Sequence, residues 1–133
     1  MNTMARDIMS TEIITVKKGT LMEDALKLLV NSKITGIPVT DDEGKMVGVF
    51  SDYDVIAQIS ATNDPKPEIF KKPIQYTSTV KSIHETTPLN EILDLIINGR
   101  YRRLPVLNRD GKLVGIITRR DLMRLFYYRM TLT

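Results

Sequence analysis

The feature that most constrains this chain is an internal repeat. Ile37-Pro-Val-Thr-Asp-Asp-Glu-Gly-Lys-Met-Val-Gly-Val-Phe-Ser-Asp-Tyr-Asp54 returns without a gap as Leu104-Pro-Val-Leu-Asn-Arg-Asp-Gly-Lys-Leu-Val-Gly-Ile-Ile-Thr-Arg-Arg-Asp121. Pro38 pairs with Pro105, Gly44 with Gly111, Gly48 with Gly115 and Asp54 with Asp121, each 67 residues apart. A constant register of this kind means one supersecondary unit used twice. Half of a 133-residue chain is near the size at which a hydrophobic core is marginal, so the halves are expected to pack on each other.

Each copy reads as strand, turn, strand and helix start. Asp41-Asp-Glu-Gly44 and Asn108-Arg-Asp-Gly111 are turn chemistry, with Gly free to take positive φ. Leu113-Val-Gly-Ile-Ile117 is apolar and β-branched, which suits a strand buried on both faces. Gly115 within it points to close approach by another backbone or a ligand. Ser51-x-x-Asp54 and Thr118-x-x-Asp121 have the spacing of N-capping boxes.

In chain order, residues 5–9 suggest a short helix or turn, and Ile13–Val16 a strand. Thr20 and Glu23 have capping-box spacing before an amphipathic helix over 21–32 carrying Leu21, Met22, Ala25, Leu26, Leu29 and Val30. Strands at 37–40 and 46–50 precede a helix from Asp52 through Ile59, with Tyr53, Ile56 and Ala57 as packing candidates. Thr62-Asn-Asp-Pro-Lys-Pro67 is a turn-rich linker signal, with a short helix expected around Glu68 to Lys72. The order then repeats: a strand over 80–83, and Thr87-Pro88 as N-cap and first helical residue. A helix striped by Leu89, Ile92, Leu93 and Ile96 closes near Gly99, followed by strands at 104–107 and 113–117. A last helix from Arg119 carries Leu122, Leu125, Phe126 and Met130. The fold class is α+β (α/β), a β-α-β-β-α unit present twice, divided as 1–60, a linker at 61–75, and 76–133.

Composition removes several chemistries. Without cysteine there is no disulfide, thiolate nucleophile or Cys-ligated metal, and the single histidine, His84, rules out a multi-His metal site within one chain. No apolar run reaches membrane-spanning length and the first residues lack a secretory pattern, so a cytoplasmic protein without membrane association is expected. The net charge of +3 is mild, but arginines gather at Arg100, Arg102 and Arg103 and again at Arg119, Arg120 and Arg124.

The repeated unit resembles the CBS domain, and the whole chain resembles a tandem CBS pair, or Bateman module. The motifs that carry the resemblance are Gly36-Ile-Pro-Val, Gly44-Lys-Met-Val-Gly and Ser51-Asp-Tyr-Asp54. Their partners are Arg103-Leu-Pro-Val, Gly111-Lys-Leu-Val-Gly and Thr118-Arg-Arg-Asp121, while Asp7-Ile-Met-Ser10 is similar to the opening of many CBS domains. The chain departs from the pattern at Tyr76-Thr77, where a Met-Ser or Met-Thr pair is expected, and at Arg103, opposite Gly36. The resemblance implies a pseudo-twofold pair with two clefts between the halves, binding AMP, ADP or ATP, with S-adenosylmethionine and NAD as further adenosine-containing candidates. It also implies a homodimer. No cofactor is required.

By that resemblance the first cleft takes ribose on Asp121 and phosphate on Thr118, Arg119 and Arg120. The base lies against the opposite half near Thr11, Ile13, Thr35, Gly36 and Ile37. An ionised carboxylate can accept both ribose hydroxyls, and the helix start favours an anion. The mirror cleft uses Asp54 and Ser51 with Thr77, Ser78, Val80, Arg102, Arg103 and Leu104 from the other half. Asp52 stands where the first cleft has Arg119, so the cleft of Asp121 is the better phosphate site.

The expected function is a non-catalytic regulatory module that senses an adenosine-containing ligand and acts on a regulated protein on another chain. There is no nucleophile–base pair and no Walker-type loop. Two alternatives remain: a structural dimerisation module without ligand, and nucleic-acid binding through the arginine clusters, against which stands the lack of interleaved stacking aromatics.

Overall fold

The structure, a computed structural model, describes residues 2–62 and 67–132; residues 63–66 of the expected linker turn lie outside the described residues. In chain order the elements are α1 (Ala5–Ile8), β1 (Val16–Lys17), α2 (Met22–Ser32), β2 (Gly36–Thr40), β3 (Met46–Ser51) and α3 (Asp52–Ser60). A 3₁₀ helix at Pro67–Lys71 leads to β4 (Ile83–His84), α4 (Leu89–Ile97), β5 (Arg103–Leu107), β6 (Leu113–Thr118) and α5 (Arg119–Thr131).

Each repeat builds a three-stranded sheet, β1-β2-β3 and β4-β5-β6, with a parallel first pair and an antiparallel second pair. The repeat extends to the pairing. Val16 faces Val39 as Ile83 faces Val106, and Gly36 faces Ser51 as Arg103 faces Thr118. The central strands are the buried ones, with Ile37, Val39, Leu104 and Val106 fully enclosed. β6 is half-buried rather than buried on both faces, because it lies at the sheet edge; of its residues only Gly115 and Ile117 are buried, with Val114 partly buried against the core.

Two compact units form, and they exchange short segments relative to the division by sequence order. One is Ile14–Val80; the other joins Met1–Ile13 to Lys81–Thr133. The exchange has a backbone cause. Ser10 trades hydrogen bonds with Ile116 (2.9 and 3.0 Å), and Ala5 N–H donates to the Thr87 carbonyl (2.9 Å). In the other unit Thr77 trades hydrogen bonds with Val49 (2.9 and 3.0 Å) and Ile74 joins the core. That core is built on Phe50, Met22, Ile37 and Val39, and its counterpart on Ile92, Leu104, Val106 and Ile117, with Ala5 of α1 fully buried among them.

Both turns use one device. Asp41 Oδ1 accepts from the amides of Glu43 and Lys45, and Asn108 Oδ1 from those of Asp110 and Lys112. Gly44 and Gly111 take φ of 83° and 80°. The Lys45 amide, helped by that of Glu43 and by the charges of Lys18 and Lys45, holds the Asp41 carboxyl below its ordinary value.

Several sequence expectations move. Leu21 is the N-cap of α2, and the Thr20 hydroxyl donates back to the Lys17 carbonyl (2.6 Å) instead of closing a box with Glu23. Thr87 Oγ1 accepts from the His84 amide (3.0 Å), which leaves Pro88 as N-cap and Leu89 as first helical residue of α4. The strands expected at 13–16 and 80–83 shorten to two residues each, since only Val16 and Ile83 reach the core. Tyr53, Ile56, Val30 and Met130 are mostly exposed and Phe126 is partly so; α3 buries Val55 and Gln58 in place of Tyr53 and Ile56.

The left-handed residues that follow α2 and α4 are not glycines. Lys33 and Arg100, again 67 apart, hold φ of 54° and 58°, and Gly99 does not take the left-handed conformation. A left-handed non-glycine residue is strained. Lys33→Gly is therefore expected to stabilise the protein by roughly 0.5–1 kcal/mol, net of glycine's larger unfolded-state entropy. Urea unfolding curves of the two proteins read this directly, and an unchanged or lower midpoint would contradict it.

Candidate functional site

The two carboxylates singled out in the sequence occupy equivalent positions, three residues into the strand-to-helix junctions β3–α3 and β6–α5. At each junction an extended N-cap, Ser51 or Thr118, turns the chain into the helix and brings the carboxylate back over its own amide. Asp121 Oδ2 accepts from the Thr118 amide (2.7 Å) and hydroxyl (3.1 Å). Asp54 Oδ2 accepts from the Ser51 amide (2.8 Å) and hydroxyl (3.0 Å).

The second oxygen is held by a hydroxyl from the exchanged segment. Ser10 Oγ donates to Asp121 Oδ1 at 2.8 Å, and Thr77 Oγ1 donates to Asp54 Oδ1 at 2.9 Å. Asp121 and Asp54 are 6% and 8% exposed, so these are buried, committed acceptors rather than free carboxylates. Every oxygen is engaged, but a carboxylate offers about four acceptor sites, and Oδ1 retains capacity that Oδ2 does not. The Thr118 hydroxyl, expected to serve phosphate, donates to Asp121 instead, and the Ser51 hydroxyl donates to Asp54.

The surroundings differ in charge. Arg124 lies 3.8 Å from Asp121 Oδ1, and Arg119 and Arg120 are exposed at the start of α5. The equivalent positions around Asp54 are Ala57, Asp52 and Tyr53. The junction of Asp121 therefore suits an anion better. Arg119 also lines a groove of about 420 Å³ with Leu93, Ile96, Ile97, Arg100 and Leu122. Among the described residues no group of three or more His, Cys, Asp or Glu side chains converges as a metal site would need.

The grouping of the other expected residues is partly corrected. Thr11 and Ile13 were expected opposite Asp121, but they belong to its own unit, because the Ser10–Ile116 pairing fixes the opening segment along β6. Thr77, Ser78 and Val80 likewise belong to the unit of Asp54, because Thr77 pairs with Val49 on β3. Thr35, Gly36 and Ile37 lie at the start of β2 in that same unit, where the Thr35 carbonyl accepts from the Asp52 amide (3.0 Å). Arg102, Arg103 and Leu104 open β5 in the unit of Asp121, with Arg103 in register opposite Thr118. Sequence reasoning noted Ser10 only as part of the opening motif and missed its contact with Asp121. The signal was present: Ser10 precedes Thr77 by the same 67 residues that relate Asp54 to Asp121.

This arrangement, a carboxylate-capped helix after an antiparallel strand pair, twice in one chain, matches a known domain. The CBS domain profile matches residues 5–61 and 72–128, and the chain belongs to the CBS-domain family. It is 36% identical over 135 residues to the CBS domain-containing protein CBSX1, chloroplastic, of Arabidopsis thaliana, covering 82% of this chain and 57% of CBSX1. The chain thus spans little more than half of that relative. The crystal structure of CBSX2 in complex with AMP superposes with a TM-score of 0.76 at 34% identity, covering 96% of this chain and 98% of that one. The CBS domain pair of MJ0100, in complex with 5'-methylthioadenosine and S-adenosyl-L-methionine, gives 0.72 at 28% identity, covering 97% and 99%. Among the described residues no helix is long and apolar enough to cross a membrane.

Proposed function

We propose that this chain is a non-catalytic sensor module that binds an adenosine-containing ligand of the AMP, ADP or ATP class in the cleft implied by the family resemblance. The ribose diol engages Asp121 Oδ1, or Asp54 Oδ1 at the second site. The observation that carries the reading is the pair of helix-start carboxylates, each with one oxygen anchored by its own N-cap amide and the other held mainly by a hydroxyl. A vicinal diol offers the same kind of donor. The likeness to CBSX2, crystallised with AMP, and to the MJ0100 pair, crystallised with two adenosine compounds, supports the ligand class.

The arginines of the α5 start favour a phosphorylated ligand at Asp121, and Asp52 disfavours one at Asp54. A homodimer and a cytoplasmic setting belong to the same proposal. The dimer has a specific attraction: Val30 and Ile56 are 66% exposed, and their repeat equivalents Ile97 and Met123 are 71% and 63% exposed.

Titration calorimetry against AMP, ADP, ATP, S-adenosylmethionine and NAD tests the reading. At least one is expected to bind with saturable heat. Silence from all five, with a salt-dependent mobility shift of labelled RNA or DNA, would replace it with nucleic-acid binding through the arginines.

A further inference from the structure

We propose that Ser10 and Thr77 are hydroxyl latches that compete with the ligand's ribose for the site carboxylates, and so set the affinity of each site. The inference rests on the ribose reading of Asp121 and Asp54 given above.

The geometry of the latch is the same in both units. The hydroxyl reaches Oδ1, the one carboxylate oxygen not tied to an N-cap amide: 2.8 Å for Ser10 on Asp121 and 2.9 Å for Thr77 on Asp54. The backbone that delivers it cannot drift. Ser10 is tied to Ile116, and Thr77 to Val49, by two hydrogen bonds each. The preceding residue is wedged as well, Met9 against Gly115 and Tyr76 against Gly48. Thr77 is exposed and Asp54 is buried, and the Thr77 hydroxyl occupies one acceptor position of Oδ1. A ribose can therefore take both Oδ1 acceptor positions only by turning the latch aside. Turning a hydroxyl needs only a χ1 rotation, which leaves the anchored backbone where it is.

The two latches differ in stiffness. Threonine carries a second heavy atom on Cβ and has fewer open rotamers than serine. Ser10 thus yields more readily than Thr77, which makes the Asp121 site the first to fill. The same site carries the arginines, so two independent features give one order of occupancy.

The test compares the unsubstituted protein with Ser10→Ala, Ser10→Thr and Thr77→Ala. Each is titrated with AMP, ATP and S-adenosylmethionine, with 2',3'-dideoxy-AMP as the ligand lacking the diol. Thermal unfolding of each variant confirms that the paired backbone keeps it folded. Removing the latch is expected to tighten the diol-bearing ligand about tenfold at the corresponding site, the worth of one hydrogen bond to a charged group. It leaves binding of 2',3'-dideoxy-AMP unchanged. Ser10→Thr restores the hydroxyl and removes the gain. Unchanged or weaker binding by Ser10→Ala and Thr77→Ala, with the unsubstituted protein binding normally, would overturn the latch and leave the sensor reading standing. No binding of any ligand to any of these proteins would overturn both.

Discussion

Asp121→Ala is expected to weaken adenosine-ligand binding at its site by at least about a hundredfold and to destabilise the protein by about 2–3 kcal/mol. The binding loss follows from two hydrogen bonds between ribose and a charged acceptor, each worth about 1.5–3 kcal/mol. The stability loss has a separate origin. The carboxylate satisfies the Thr118 amide at the first turn of α5, and a lost cap costs about 0.5–2 kcal/mol. The substitution also strands the Ser10 and Thr118 hydroxyls, both part-buried. Asp121→Asn separates the two effects. Its carbonyl can still accept from the Thr118 amide, and its NH₂ can donate to Ser10 Oγ, so the fold is largely kept. The same NH₂ faces the ribose with a donor where an acceptor is needed, so binding falls with little change in unfolding midpoint. Calorimetry together with urea unfolding reads both quantities. An Asp121→Ala protein that binds like its parent would remove Asp121 from the site.

Gly48→Ala is the second large effect, and it acts on the scaffold. A Cβ at position 48 would overlap the Thr77 carbonyl oxygen and lie 2.6 Å from Tyr76 Cδ2. The carbonyl accepts from the Val49 amide and has no rotamer by which to escape, so the whole Tyr76-Thr77 strand must lift. Overpacking of this kind costs about 3 kcal/mol. It also pulls Thr77 away from Asp54. Gly115→Ala is the internal control. There the added atom meets Met9 Sδ, Cγ at 2.7 Å and Cβ at 2.9 Å; the outer part of a methionine side chain can bend away, and only the Cβ contact asks the backbone to shift. A cost of about 1–2 kcal/mol is expected. Equal losses at the two glycines would show that the contacted backbone is not what distinguishes them.

Much of this fold was legible because the same sequence signals occur twice. The glycines of the two turns, the apolar central strands and the boxes at Ser51 and Thr118 each gain weight from a copy 67 residues away. Gly115 announced a close approach by a backbone or a ligand; what approaches it is the Met9 side chain, and the backbone approach is found at its repeat equivalent Gly48. What the sequence hid was non-local. Nothing in Ser10 or Thr77 says that each will pair with a strand edge far along the chain, because a single isolated bridge leaves no periodicity. The end of α2 was placed correctly at Ser32, but the left-handed residue beyond it was not foreseen: Lys33 and Arg100 hold positive φ against their own preference, and their side chains carry no signal of it. The exposed face of α3 was misread because apolar spacing marks a stripe without saying what covers it. Tyr53 and Ile56 satisfy the helical period and still face outward.

The central claim, that ribose is held by the helix-start carboxylates, is tested most directly by a crystal structure of the protein grown with AMP. The account predicts the 2' and 3' hydroxyls within hydrogen-bonding distance of Asp121, with the Ser10 hydroxyl rotated off Oδ1. AMP bound elsewhere, with Ser10 and Thr77 still donating to undisturbed carboxylates, would contradict it.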